Sequence, residues 1–196
     1  MATSRDNKTI SNFKAALIGG GARPNLFEVE LTTLPAGISW DADSFRYMCK
    51  AAQLPAQNVA NIDVPFRGRI FKVAGDRTID TWTVTIINDE SFALRNAFEE
   101  WADLIAKLDN NLGATDPSAY MSSAKVFQLG RGATKSSQNS AGSSNAVLKE
   151  YEFIDIWPSN VAAIDLSYDS SDTIEDFTVE FQVQSFRQVA SGGPNG

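Results

Sequence analysis

The sequence predicts a mainly β fold, an antiparallel β-sandwich or partly closed barrel with one α-helix. Three observations carry that expectation. Period-two alternation recurs along the chain, from "NLFEVEL" near the start to "TIEDFTVEFQVQSF" near the end. One long segment, "ESFALRNAFEEWADLIAKLD", repeats its apolar residues at helical spacing. A parallel sheet built from βαβ units would need several helices alternating with the strands, and only one convincing long helix is found.

The elements follow in order. Thr9 to Ile18 read as a short amphipathic helix with Ile10, Phe13 and Leu17 on one side, ended by "GGGARP". Residues 1–22 are therefore expected to form a flexible arm or docking segment. In "NLFEVEL", Phe27, Val29 and Leu31 alternate with Glu28 and Glu30, which gives a strand one buried face and one wet, acidic face. "SFRYMCKAAQLP" reads as a second strand ending at Pro55. "VANIDVPFRGRIFKV" is more broken, and its Pro65 and Gly68 point to an edge strand or a bent excursion from the sheet.

"AGDRT" reads as a turn, in which Gly75 supplies backbone freedom and Asp76 a side chain able to bond its own backbone. After it Ile79, Thr81, Thr83, Thr85 and Ile87 share one face, while Trp82, Val84 and Ile86 share the other and must pack inward. A threonine ladder suits pairing or contact with another layer. Asn88 and Asp89 offer caps for a helix over about residues 90–109, with Ala97, Trp101, Leu104, Ile105 and Leu108 as its apolar stripe. Glu99, Glu100, Asp103 and Lys107 lie largely off that stripe.

Further strands are expected in "SAKVFQLG", "VLKEYEFIDIWP", "NVAAIDLSYD" and "TIEDFTVEFQVQSF", the last with Phe177, Val179, Phe181 and Val183 inward. The Ser-, Gly- and Asn-rich stretch at about 130–146 is expected to be a mobile hairpin loop, and residues 188–196 a disordered tail. Residues 23–187 then make one domain, long enough to bury a core without disulfides or metals.

Composition removes most catalytic chemistry. The chain has no histidine and one cysteine, so no Ser-His-Asp triad, Cys-His dyad, His-ligated metal or zinc ribbon can be built. Cys49 reads as a small buried apolar side chain. A net charge of −7 argues against gripping nucleic acid through its phosphates, because that affinity comes from Lys and Arg displacing counterions. The amino-terminal stretch lacks the long apolar run of a signal peptide or a membrane span, so no membrane insertion is expected.

Several motifs carry bland readings. "GGGARP" lacks the Lys-Ser/Thr ending of a phosphate loop and reads as a linker. "DSSD" lacks the spacing and glycine of a calcium loop and reads as a solvated turn. Glu99, Glu100 and Asp103 share a water-facing helix side with no electrophilic partner. Trp40, Trp82, Trp101 and Trp157 read as core or interface anchors. No catalytic, metal or cofactor site is expected, and the protein is not read as an enzyme.

The blocks "ARPNLFEVEL", "VAGDRTIDTWTVTIINDESFALRNAFEEW" and "IWPSNVAAIDLSYDSSDTIEDFTVEF" resemble, in the same order, those of the tail tube protein of contractile-tailed (myovirus-type) bacteriophages. The likeness spans roughly Arg23 to Phe186; the serine-rich loop and the glycine-rich carboxyl tail depart from the pattern. It implies a virion subunit made and assembled in the host cytoplasm. It further implies that six copies form a ring, that rings stack, and that a continuous inner β-barrel surrounds a lumen that conducts DNA during ejection. The implied partners are further copies of itself, the tail sheath, baseplate, tape-measure and tail terminator proteins, and DNA passing without specific binding. The inner tube of a tailocin-like injection device is the near alternative, and a monomeric β-sandwich binding module is the alternative from another class.

A conduit for DNA needs a wall that repels phosphate. Glu28, Glu30, Asp165, Asp169 and Glu180 read as lying on wet strand faces and are the candidate lumen-facing acids. Arg67, Arg69 and Lys72 of "FRGRIFK", with Thr81, Thr83 and Thr85, are the candidate inter-subunit contacts. The plain reading of that basic cluster is a charged edge that discourages wrong pairing; its functional reading is a ring-on-ring salt-bridge partner for acidic groups on the next subunit.

Overall fold

A computed structural model describes residues 9–17, 20–133 and 145–189. The central part of the expected serine-rich loop, most of the expected tail and the first eight residues lie outside the described residues. The elements run α1 (Ile10–Ala16), β1 (Phe27–Thr33), α2 (Ala42–Met48), β2 (Cys49–Ala52), β3 (Asn58–Phe66), β4 (Arg69–Thr78), β5 (Trp82–Ile87), α3 (Ala93–Ile105), β6 (Ser122–Ala133), β7 (Asn145–Val161) and β8 (Asp176–Val189). Six strands form one sheet in the order β1-β6-β7-β8-β5-β2, and β3 pairs with β4 in a separate two-stranded sheet. The mainly β character and the single long helix agree with the expectation.

The chain divides into two units, one of residues 1–28, 127–150 and 189–196, the other of residues 29–126 and 151–188. In the first, Thr9 caps α1 by accepting from the Asn12 amide, yet the helix buries none of its residues. The Gln128 side chain donates to the carbonyls of Arg23 and Leu26 at 2.8 and 2.7 Å, and the Leu129 amide also donates to Leu26. These bonds satisfy the backbone of the turn that leads into β1.

The second unit holds the core. On β5, Trp82, Val84 and Ile86 are buried as alternation demands, and on β8 so are Phe177, Val179 and Phe181. The two strands pair antiparallel from Trp82 opposite Phe181 to Ile87 opposite Asp176, so these six side chains share one face. The helix α3 lies over that face: Phe98 packs 6.2 Å from Phe177 and 6.0 Å from Phe181, and Trp101 packs 6.1 Å from Phe181. Trp101 is fully buried with its indole N–H donating to the Tyr120 carbonyl at 2.8 Å, so its polar end costs nothing. Trp82 stacks on Phe153 at 4.5 Å.

Four expectations need correction. The stretch read as a second strand begins as α2, because Phe45 must reach Trp40 and Phe98, at 5.8 and 6.3 Å, and a helical turn delivers it there. "AGDRT" is not a turn but the second half of β4; the chain has already reversed at Arg67 and Gly68, both at positive φ (46° and 79°), as a two-residue hairpin turn requires. Gly75 instead answers a close approach, since a Cβ there would come within 3.2 Å of the Ala60 carbonyl oxygen, beside the bulge between Val59 and Asn61.

The third correction concerns α3, which is shorter at both ends than expected. Asn88 and Asp89 do not cap it: Asn88 bonds Glu175 through backbone and side chain, at 2.9 and 2.8 Å, and Asp89 accepts from Ser91. Its last turn is closed by the returning backbone, the Ala114 amide donating to Leu104 at 2.9 Å. A Cβ on Gly113 would lie 1.8 Å from the Ile105 oxygen, so only glycine permits that return. The buried stripe is accordingly Leu94, Ala97, Phe98 and Trp101, while Leu108 is exposed beyond the helix end. Fourth, the strand expected in "NVAAIDLSYD" ends at Val161, and residues 162–175 form a loop.

Phe98 touches more of the aromatic core than any other ring, so Phe98→Ala is expected to lower stability by about 3–5 kcal/mol. Chemical denaturation checks it; a loss under about 1 kcal/mol would show that α3 does not organise the sheet.

Candidate assembly surfaces

The first surface is made of backbone. β1 and β2 end the six-stranded sheet, so each carries one side without a strand partner among the described residues. The β5 register stops at Trp82 opposite Phe181, yet β8 runs on to Val189, past the end of β5. Such open edges invite pairing with another chain.

The second surface is the β3-β4 hairpin, nearly all of which is exposed. Its register sets Ile62 opposite Val73, Val64 opposite Phe71 and Phe66 opposite Arg69. Directly opposed residues share a face, so one face is an apolar stripe that ends in a cation. The other bears the charge pair Asp63 and Lys72 and the apolar pair Pro65 and Ile70. Phe66 and Phe71 are each 66% exposed, well beyond what a lone two-stranded ribbon carries comfortably in water. Arg67 lies over the Phe66 ring, 5.5 Å from its centre, which orients the basic tip.

The third surface is the sheet face turned away from α3. Alternation places Thr83, Thr85, Thr178 and Glu180 there, and the register sets Thr83 beside Glu180 and Thr85 beside Thr178. Thr83 and Thr85 are half-buried, while Thr81 is exposed just before β5 begins. Glu30 lies opposite the buried Val29 and Leu31 on β1 and is held by Arg46 at 3.3 Å, so its charge is partly neutralised. Glu28, at the start of the same strand, is half-buried. Asp165 and Asp169 do not sit on a strand face; they stand exposed on the 162–175 loop.

That loop was hidden from sequence reasoning, as was the apolar side of the hairpin. It displays Leu166 at 83% and Ile174 at 76% exposure, with Tyr168 fully exposed. The sequence signal for the hairpin was present: the apolar residues alternate on both sides of Arg67-Gly68, and only the turn position was misread.

Among the described residues no group of three or more His, Cys, Asp or Glu side chains is placed to hold a metal ion. The Cys49 thiol accepts burial on β2, and desolvation pushes its pKa up to about 12 despite its contact with the Ala51 carbonyl. It therefore stays protonated at neutral pH and is a poor nucleophile.

A subunit with a solid aromatic core, open strand edges and an exposed apolar hairpin has the features of a structural protein whose surfaces are completed by association. The comparisons with known proteins give the family. The sequence model of the phage tail tube protein family matches residues 22–189, and the chain belongs to that family, a structural component of the virion. It is 40% identical over 161 residues to tail tube protein gp19 of Enterobacteria phage T4, covering 82% of this chain and 88% of that one. It is 23% identical over 177 residues to the tail tube protein of Serratia phage KSP90, covering 89% and 93%. Among solved structures, a chain of the anti-feeding prophage baseplate, determined with six-fold symmetry, superposes with a TM-score of 0.57 at 11% identity, covering 85% of this chain and 94% of that chain. A chain of that prophage's tube-terminating cap gives 0.55 at 14% identity, covering 96% and 99%.

Proposed function

We propose that six copies of this protein close into a ring, that rings stack into a tube, and that the lumen conducts DNA out of the particle. The observation that carries this reading is the set of unsatisfied surfaces on a folded subunit: two terminal strands, the continuation of β8 beyond β5, and the exposed hairpin. Ring closure gives each open edge a partner and removes edges altogether. Burying the hairpin's apolar side chains contributes on the order of 1 kcal/mol each, enough in sum to hold subunits together. Arg67, Arg69 and Lys72 on the hairpin, with Thr81 just before β5, form the inter-subunit contacts, whereas Thr83 and Thr85 share the face of Glu180 and line the lumen with it.

The sheet face opposite α3 faces the lumen in this reading, with Glu28, Glu30 and Glu180 on the wall. Carboxylates and threonines there leave phosphate repelled across a hydrated gap, so DNA slides without adhering. The sheath lies outside, the tape-measure protein occupies the lumen during assembly, and baseplate and terminator proteins close the ends. The solved relatives from a baseplate and a tube-terminating cap support that placement through shared fold. Assembly takes place in the host cytoplasm.

Electron microscopy of the purified protein is expected to show annuli of six subunits and hollow fibres of constant diameter. Single compact particles at every concentration and salt condition would contradict the reading. Glu180→Lys is expected to change subunit stability by no more than about 0.5 kcal/mol, and both it and Glu28→Lys are expected to slow DNA release from otherwise normal particles. Unchanged release would remove these positions from the wall.

A further inference from the structure

The hairpin and the 162–175 loop lie at opposite ends of β5. The hairpin leads into Trp82, whereas the loop leads into Asp176, which pairs with Ile87 at the other end. The six residues of β5 separate them by about 17 Å at about 3.4 Å per residue. A contact between two surfaces at opposite ends of a subunit is heterologous and does not close, so it repeats as a stack.

The two surfaces also match in chemistry. Residues 58–78 carry Arg67, Arg69, Lys72 and Arg77 against Asp63 and Asp76, an excess of two positive charges in a chain whose net charge is −7. Residues 162–176 carry five acids and no base. Two of those acids are engaged within the subunit, Glu175 with Asn88 and Asp176 with Lys50. No ion pair engages Asp165, Asp169 or Asp172 among the described residues. Each surface adds exposed apolar groups, Val64, Phe66 and Phe71 on the hairpin and Leu166, Tyr168 and Ile174 on the loop.

The loop is a built platform. Arg95 of α3 fixes its start by donating to the Ala162 carbonyl at 2.6 Å, while Glu175 fixes its end through Asn88. Between them opens a cleft of about 440 Å³ whose lining includes Asp165, Glu175 and Asp176. That recess is acidic and large enough to receive side chains from a hairpin tip.

We infer that the 162–175 loop is the receptor for the β3-β4 hairpin of a second copy in the neighbouring ring. The Arg67-Gly68 tip enters the acidic recess, and Phe66 and Phe71 pack on Leu166, Tyr168 and Ile174. This deepens the proposed function and rests on it: the tube reading requires a stacking contact, and the inference names both of its halves. Asp165 and Asp169 thereby serve stacking rather than the lumen wall.

Two charge-reversed proteins test it, Arg67→Glu/Arg69→Glu/Lys72→Glu and Asp165→Lys/Asp169→Lys/Asp172→Lys, together with the combined variant. Since like charges set face to face repel, each single-sided variant is expected to raise the concentration needed for fibres about tenfold or more while rings persist. The combined variant is expected to recover fibres. Fibres from both single-sided variants at the ordinary concentration would overturn the inference, as would a combined variant no better than either parent. A photo-crosslinker at position 67 of the otherwise unaltered protein gives a second readout, independent of how the charge variants fold. Adducts within residues 162–178 of another copy are expected, and adducts confined to other segments overturn it. A wild-type protein that forms neither rings nor fibres refutes the tube reading itself, and the inference falls with it.

Discussion

Backbone hydrogen-bonding groups that a subunit cannot satisfy alone are the constraint on which the rest depends. A strand edge presents alternating donors and acceptors, and free proteins blunt such edges with bulges, charges or covering helices. Among the described residues the terminal strands β1 and β2 and the end of β8 are left open, and the hairpin adds an apolar face that no other element shelters. Every other feature supports that arrangement. The aromatic core is placed on one side of the sheet, where α3 covers it, so the opposite side and the edges remain available.

Rigidity is what makes open edges usable. In the proposed tube, rings meet in register only if each subunit holds its edges at a fixed angle, and the packed cluster of Phe98, Trp101, Phe177 and Phe181 supplies that stiffness. Polar ties extend it outward. Arg95 bonds Glu99 at 2.7 Å on its own helix and the Ala162 carbonyl beyond it, with its guanidinium 5.2 Å over the Phe177 ring. A single side chain thus couples the core, the helix and the base of the loop.

The sequence revealed what alternation alone determines. Trp82, Val84 and Ile86 had to be buried because their neighbours are threonines, and the same logic placed Phe177, Val179 and Phe181. What it concealed depended on partners distant in sequence. α2 exists because Phe45 packs on Phe98 of α3, a contact that no local pattern announces. "AGDRT" looked like a turn because Gly75 was assigned freedom, when its role is to let the Ala60 backbone come close. The basic side chains of the hairpin could be read from the chain, but the apolar face beside them emerges only once Arg67 and Gly68 are known to set the register. Leu166 and Tyr168 alternate with Asp165, Ser167 and Asp169 as a strand would, yet the structure leaves both large side chains in water on a loop.

Hydrogen exchange on soluble subunits and on assembled particles tests the central claim most directly, because it reports the edge groups themselves. The account predicts that amides of the β3-β4 hairpin and those on the open sides of β1, β2 and the stretch 182–189 exchange rapidly in the subunit and become strongly protected on assembly, whereas β5 and the core of β8 are protected in both. Equal exchange of those segments in the two states would contradict the idea that other copies complete this fold.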